Sequence, residues 1–83
     1  MEFQEFYTST QQAAKVLSKH KLFVCLPSQN YGHIAGKHFA NILFHKYTHA
    51  DKAIPILKEM GYEVSTRQQN IFNAYYKYFL TIK

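Results

Sequence analysis

The C-terminal stretch restricts this chain more than any other feature. From Ala74 to Ile82 the sequence alternates as an extended strand does: Ala74, Tyr76, Tyr78, Leu80 and Ile82 fall on one face. Tyr75, Lys77, Phe79, Thr81 and Lys83 fall on the other. The first face is expected to be core. A strand needs a neighbour, and Tyr62-Glu63-Val64-Ser65-Thr66-Arg67 alternates in the same way, with polar Gln68-Gln69-Asn70 in between. The expectation is a β-hairpin with a somewhat long loop.

Upstream, the periodicity is helical. Thr8-Ser9-Thr10-Gln11-Gln12 holds two overlapping capping-box patterns, so a first helix is expected near Ser9 to His20. Ala13, Val16 and Leu17 share its apolar face, and Lys19, His20 and Lys21 suit the negative end of the helix dipole. Leu22 to Leu26 reads as a short buried strand stopped by Pro27, and Ser28 to Gly32 as a polar turn. Ala35, Phe39, Ile42, Leu43, Phe44 and Tyr47 recur at helical spacing, which places a second helix near His33 to Tyr47. A third, about Asp51 to Met60, ends at Gly61, whose left-handed C′ conformation would carry Tyr62 over Leu57. Pro55 fits only the first turn of that helix or a kink. No internal repeat, low-complexity tract or linker divides the chain, so residues 1–83 are read as one domain. The fold class expected is α+β: three helices with a short strand and a C-terminal β-hairpin, in a winged-helix-like layout.

Eighty-three residues suffice for one core but not for a second domain or a deep cofactor cleft. Seven Phe and seven Tyr argue for an ordered interior. Cys25 is the lone cysteine, and no secretory signal pattern is evident, which suggests the cytoplasm. The longest apolar run, Leu22 to Pro27, is far short of the roughly 20 residues that span a bilayer. The net charge of +5 is unevenly placed, because the acids are Glu2, Glu5, Asp51, Glu59 and Glu63, none of them between Phe6 and Ala50. That stretch holds Lys15, Lys19, Lys21, Lys37 and Lys46 and all five histidines. An acidic partner is implied.

The order helix, strand, helix, helix, hairpin resembles the winged helix-turn-helix family. The local likeness lies in Ala53-Ile54-Pro55-Ile56-Leu57-Lys58-Glu59-Met60-Gly61-Tyr62-Glu63-Val64 followed by Tyr76-Lys77-Tyr78-Phe79-Leu80. The resemblance implies that the third helix reads a partner and that Gln68 to Asn73 forms the wing. Reading base edges in a groove relies most often on Arg, yet this chain has one, Arg67.

Candidate binding residues follow from these patterns. Tyr75, Lys77 and Phe79 interleave aromatic rings with positive charge, as stacking on bases and contact with phosphate require. Lys15, Lys19, Lys37 and Lys46 form a basic series, and the third helix and wing add Lys52, Lys58 and Arg67. The plain alternative is that the rings are core and the lysines a solvated face. His38, His45 and His49 could share a helical face if the second helix continued, but no CxxC or HExxH pattern accompanies them, so no metal site is assigned. There is no phosphate loop, nucleophile elbow or close carboxylate pair, so no catalytic residue and no cofactor is assigned. Cys25, between Val24 and Leu26, reads as a buried thiol. The function expected is a small basic non-enzymatic binding protein that contacts nucleic acid as a repressor or accessory factor. The alternative is a protein that binds and modulates a nucleoprotein enzyme, such as a phage-type anti-CRISPR inhibitor.

Overall fold

A computed structural model of the chain describes residues 2–22, 24–25, 31–71 and 75–83, with Val24 and Cys25 described by their backbone alone. Helix α1 (Phe3–Lys19) leads to strands β1 (Val24–Cys25), β2 (Tyr31–Ile34) and β3 (Lys37–Phe44). Helix α2 (Tyr47–Glu59) follows, then β4 (Gln68–Gln69) and β5 (Tyr78–Ile82). All pairings are antiparallel. β3 is central, with β5 on one side and both β1 and β2 on the other, and β4 lies beyond β5.

The helices share one face of the sheet. Thr10, Ala13 and Leu17 of α1 and Ala50, Ala53 and Leu57 of α2 are fully buried against Ala40, Ile42 and Phe44 of β3 and Leu80 and Ile82 of β5. Even-numbered residues of both central strands therefore point at the helices, as the two-residue period of an extended chain requires. Tyr78, Leu80 and Ile82 lie on the core face expected of them, with Tyr78 partly buried. Ala74 lies outside the described residues. A C-terminal hairpin forms, but its first strand is β4, Gln68–Gln69, expected in the loop, while Tyr62 to Arg67 meets β5 only through one isolated bridge and a few backbone bonds. Val64 bridges Ile82, Glu63 and Lys83 exchange backbone hydrogen bonds, and Gln68 and Gln69 pair with Phe79 and Tyr78.

The class α+β stands, but the three-helix layout does not: the described residues form two helices and a five-stranded sheet. The helix expected at His33 to Tyr47 is instead the β2–β3 hairpin. Ala35 and Gly36 take φ of 53° and 80°, as a two-residue hairpin turn demands. The misleading signal was a central strand apolar on both faces. Ala40, Ile42 and Phe44 point to the core, while Phe39 and Leu43 point away from it, and the mixed parity imitates helical spacing. Phe39 pairs across from Gly32 and lies over it, so that a Cβ on Gly32 would stand 2.3 Å from the ring. The ring replaces the side chain that glycine lacks.

Three smaller expectations also change. α1 begins at Phe3, a turn and a half before Ser9, so the Thr8 and Ser9 capping patterns sit inside the helix. Thr10 instead bonds back to the Tyr7 carbonyl and to the Tyr31 hydroxyl at 2.6 Å. α2 begins at Tyr47, and Pro55 lies in its interior on the exposed side. The strand expected at Leu22 to Leu26 is described only at Val24 and Cys25.

The chain also contains a repeat, contrary to the reading of the sequence. It is two units, α1-β1-β2-β3 and α2-β4-β5, whose helices and central strands are offset by 40 residues. Buried Thr10, Ala13 and Leu17 correspond to Ala50, Ala53 and Leu57. Both helices end alike: Leu22 N–H donates to the Leu17 carbonyl and Lys21 N–H to that of Ser18, as Tyr62 N–H does to Leu57 and Gly61 N–H to Lys58. Asn41 and Thr81, 40 residues apart, also face each other across the β3–β5 ladder, so a local twofold axis passes between them. Their side chains are hydrogen-bonded at 2.7 Å. Under the same offset Tyr7, Thr8, Ala13, Leu17, Val24, Gln29, Asn30, Lys37, Phe39 and Ile42 recur as Tyr47, Thr48, Ala53, Leu57, Val64, Gln69, Asn70, Lys77, Phe79 and Ile82. These identities are scattered in ones and twos, which is why no run of sequence displays them.

The repeat supplies its own prediction. Lys21 and Gly61 occupy the same left-handed position after their helices, with φ of 61° and 101°. A side chain there costs about 1 kcal/mol that glycine avoids. Lys21→Gly is expected to raise the melting temperature by roughly 4–8 °C in a domain of this size, measured by thermal unfolding.

Candidate functional site: a basic, tyrosine-rich end

The fold sorts charge toward the two ends of the sheet. At one end β3 finishes and β5 begins. β1 pairs Val24 with Phe44 here, and α1 has just ended in Lys19, His20 and Lys21. α2 starts here too, with Tyr47 against Tyr78 at 6.1 Å between ring centres. Lys19, Lys21, Lys46, Lys52, Arg67 and Lys77 belong to this end, against the single acid Asp51. The opposite end receives Glu2 and Glu5 from the start of α1 and Glu59 and Glu63 from the end of α2 and just beyond it, together with Lys37, Lys58 and Lys83.

Aromatic rings hold the basic end together. The Arg67 guanidinium lies 5.0 Å from the centre of the Tyr47 ring and 5.9 Å from that of Tyr78, and its Nε–H donates to Asp51 Oδ1 at 2.9 Å. Cation–π contact and a charge-assisted hydrogen bond together fix the arginine, and with it the approach of β4 to α2. His45 packs against Tyr75 and Tyr76, each 4.7 Å between ring centres, and its Nδ1 is 3.1 Å from the Tyr75 carbonyl oxygen. Tyr75 is 70 % exposed and Tyr47 50 %. Burial, then the charges of Lys46, Lys52 and His45, hold the His49 pKa below its ordinary value.

Of the residues singled out in the sequence, Lys19, Lys46, Lys52, Arg67, Tyr75 and Lys77 come together here. Lys15 lies on the exposed side of α1. Lys58 is near the far end of α2, and Lys37 is at the far end of β3, 3.4 Å from Glu63. Tyr75 and Phe79 do not form one platform, because β5 starts only at Tyr78. Phe79 lies partly buried on the helix-free face, opposite Leu43 and Gln68. Of the expected wing, Gln68 and Gln69 are strand, and residues 72–73 lie outside the described residues. His38 is on β3 and His49 on α2, so they share no helical face. Among the described residues no three His, Cys, Asp or Glu side chains are grouped to hold a metal. The Cys25 side chain lies outside the description.

Tyr47, Tyr78 and His45 were missed in the sequence. Tyr47 had been assigned to a helix that does not exist and Tyr78 to the core. A search for the 40-residue offset would have drawn attention to Tyr47, the counterpart of Tyr7. The first unit has an aromatic cluster of its own in the matching place. His38 stacks on Phe6 at 5.8 Å, and Tyr31 meets Tyr7 at 5.3 Å.

No helix among the described residues is long and apolar enough to cross a membrane. Comparisons with protein-family models, with curated proteins and with solved structures found no match to this chain.

Proposed function

We propose that this protein is a non-enzymatic binding domain that contacts nucleic acid through its basic, tyrosine-rich end, as a repressor or accessory factor. The observation that carries the reading is the difference between the two units. Both build the same helix, helix end and central strand, so whatever differs between them is not required by that framework. Where the first unit has Phe6, Gln12 and Pro27, the second has Lys46, Lys52 and Arg67. Where the first closes its hairpin with Ala35 and Gly36, the second spans residues 71–76 between Asn70 and Lys77, which share a backbone hydrogen bond. That longer connection carries Tyr75 and Tyr76. Lys46, Lys52 and Lys77 beside the exposed rings of Tyr47 and Tyr75 at one end of the fold suit a polyanion that bears aromatic bases.

Titration of a labelled oligonucleotide against rising salt tests the reading. Engagement of Lys46, Lys52 and Lys77 with phosphates gives a slope of roughly −2 in log K against log salt for a single strand. Saturable binding with such a slope is the expected result, and no binding at low salt would refute it.

Acidification should move stability and affinity in opposite directions. The folded state holds the His49 pKa down, so the unfolded chain binds the proton more readily. The contribution of His49 to stability is therefore complete above pH 6.5 and lost as pH falls through its lowered folded value. A bound polyanion neutralises Lys46 and Lys52 and relieves part of that depression, so affinity rises over the same range. Melting curves and binding isotherms between about pH 5 and 8 check both signs, and His49→Gln should flatten both.

A further inference from the structure

We infer that the basic end takes single-stranded nucleic acid, with unpaired bases stacked on Tyr75 and on Tyr47. This deepens the nucleic-acid reading and rests on it.

Three features favour unpaired bases over a duplex. Tyr75 is both exposed and oriented. Its ring meets His45 at 76° and Tyr76 at 83°, near-perpendicular contacts that fix its direction while 70 % of the residue stays open to solvent. A ring held in place in advance loses little freedom when a base settles on it. Tyr47 is similarly supported, because Arg67 sits on its ring and half of the residue remains exposed. A duplex hides its base faces and offers only phosphates and groove edges, so neither ring would gain from it. Groove reading lacks its usual instrument as well: the one arginine is committed to Asp51 and the two tyrosines. Lys46 and Lys52 from the start of α2 and Lys77 from just before β5 are exposed and available to the phosphates of a strand passing over them.

The test compares three probes: a short oligothymidylate, a duplex of the same length and inorganic polyphosphate. The protein has no tryptophan, so its tyrosine emission reports stacking directly. The oligothymidylate is expected to bind about 10-fold more tightly than either other probe and to quench tyrosine emission. Tyr75→Ala should cost roughly 5- to 100-fold for the single strand, leave polyphosphate binding unchanged and leave the melting temperature in place. Tyr75→Phe, which keeps the ring, should restore binding. Equal affinity for duplex and single strand, or a Tyr75→Ala protein that binds the oligothymidylate as before, overturns the stacking inference but leaves polyanion binding standing. Failure of all three probes to bind at low salt overturns both. Polyglutamate competing as well as the oligothymidylate would show instead an end built for acidic proteins.

Discussion

Reversing three charges together, Lys46→Glu, Lys52→Glu and Lys77→Glu, is expected to abolish nucleic-acid binding while leaving the fold intact. All three side chains are exposed, and no ion pair is recorded for any of them among the described residues. Substitutions at such positions usually move stability by no more than about 0.5 kcal/mol each. Binding responds far more strongly, because each reversal removes one counterion-releasing contact and adds a repulsion at the same place. If each position is worth about 1 kcal/mol at moderate salt, removal alone weakens binding by roughly 100-fold, and repulsion adds to this. The matched control is Lys15→Glu, Lys37→Glu and Lys58→Glu, which changes the net charge equally but away from the basic end. Lys37 gives up its pair with Glu63 in that control, and an exposed pair of this kind is worth little. The control should lose much less affinity. Equal losses in the two triple variants would show that overall charge, rather than this end of the fold, attracts the ligand.

The second large effect lies in the core. Leu17→Ala and Leu57→Ala are each expected to destabilise the protein by about 3–5 kcal/mol, measured by chemical denaturation. Both leucines are fully buried, both lie seven residues after the first small buried residue of their helix, and both supply the carbonyl that ends it. Because the local twofold axis relates them, the two losses should be similar. Truncation leaves a void that the close-packed helix–sheet interface fills only in part, which is why the cost exceeds that of transfer alone. A domain this small holds roughly 5–8 kcal/mol in total, so the double variant should be largely unfolded at room temperature. A large difference between the single variants would mean that the two units pack unequally despite their shared spacing.

How much of this was legible in the sequence depended on whether the signal was local. The end of α2 was legible because Gly61 and Tyr62 act through hydrogen bonds to the turn just before them. The strand β5 was legible because the face from Tyr78 to Ile82 needs only the two-residue period of an extended chain. The β2–β3 hairpin was not. Its turn has no Asn-Gly or Asp-Gly signature, and β3 is covered on one face by both helices and on the other packs Leu43 down to 6 % exposure. Apolar residues on both faces erase the alternation on which a strand assignment depends. The repeat was hidden because it is carried by spacing and backbone conformation, with Lys21 doing at one site what Gly61 does at the other.

The candidate site divides along the same line. Composition alone showed that the protein is basic and rich in tyrosine, and that Lys77, Tyr75 and Arg67 lie near one another in the chain. It could not show that Lys46, Tyr47 and Lys52 join them, because α2 begins beside β5 only once β3 has paired with β5 across the Asn41–Thr81 axis. Amphipathic faces, helix ends and net charge are properties of neighbouring residues, and the sequence by itself determined them. Which end of the sheet each charge occupies is a property of strand order and direction. Only the tertiary structure decided that, because antiparallel pairing and the burial of both helices on one face are settled by contacts between residues some 40 positions apart.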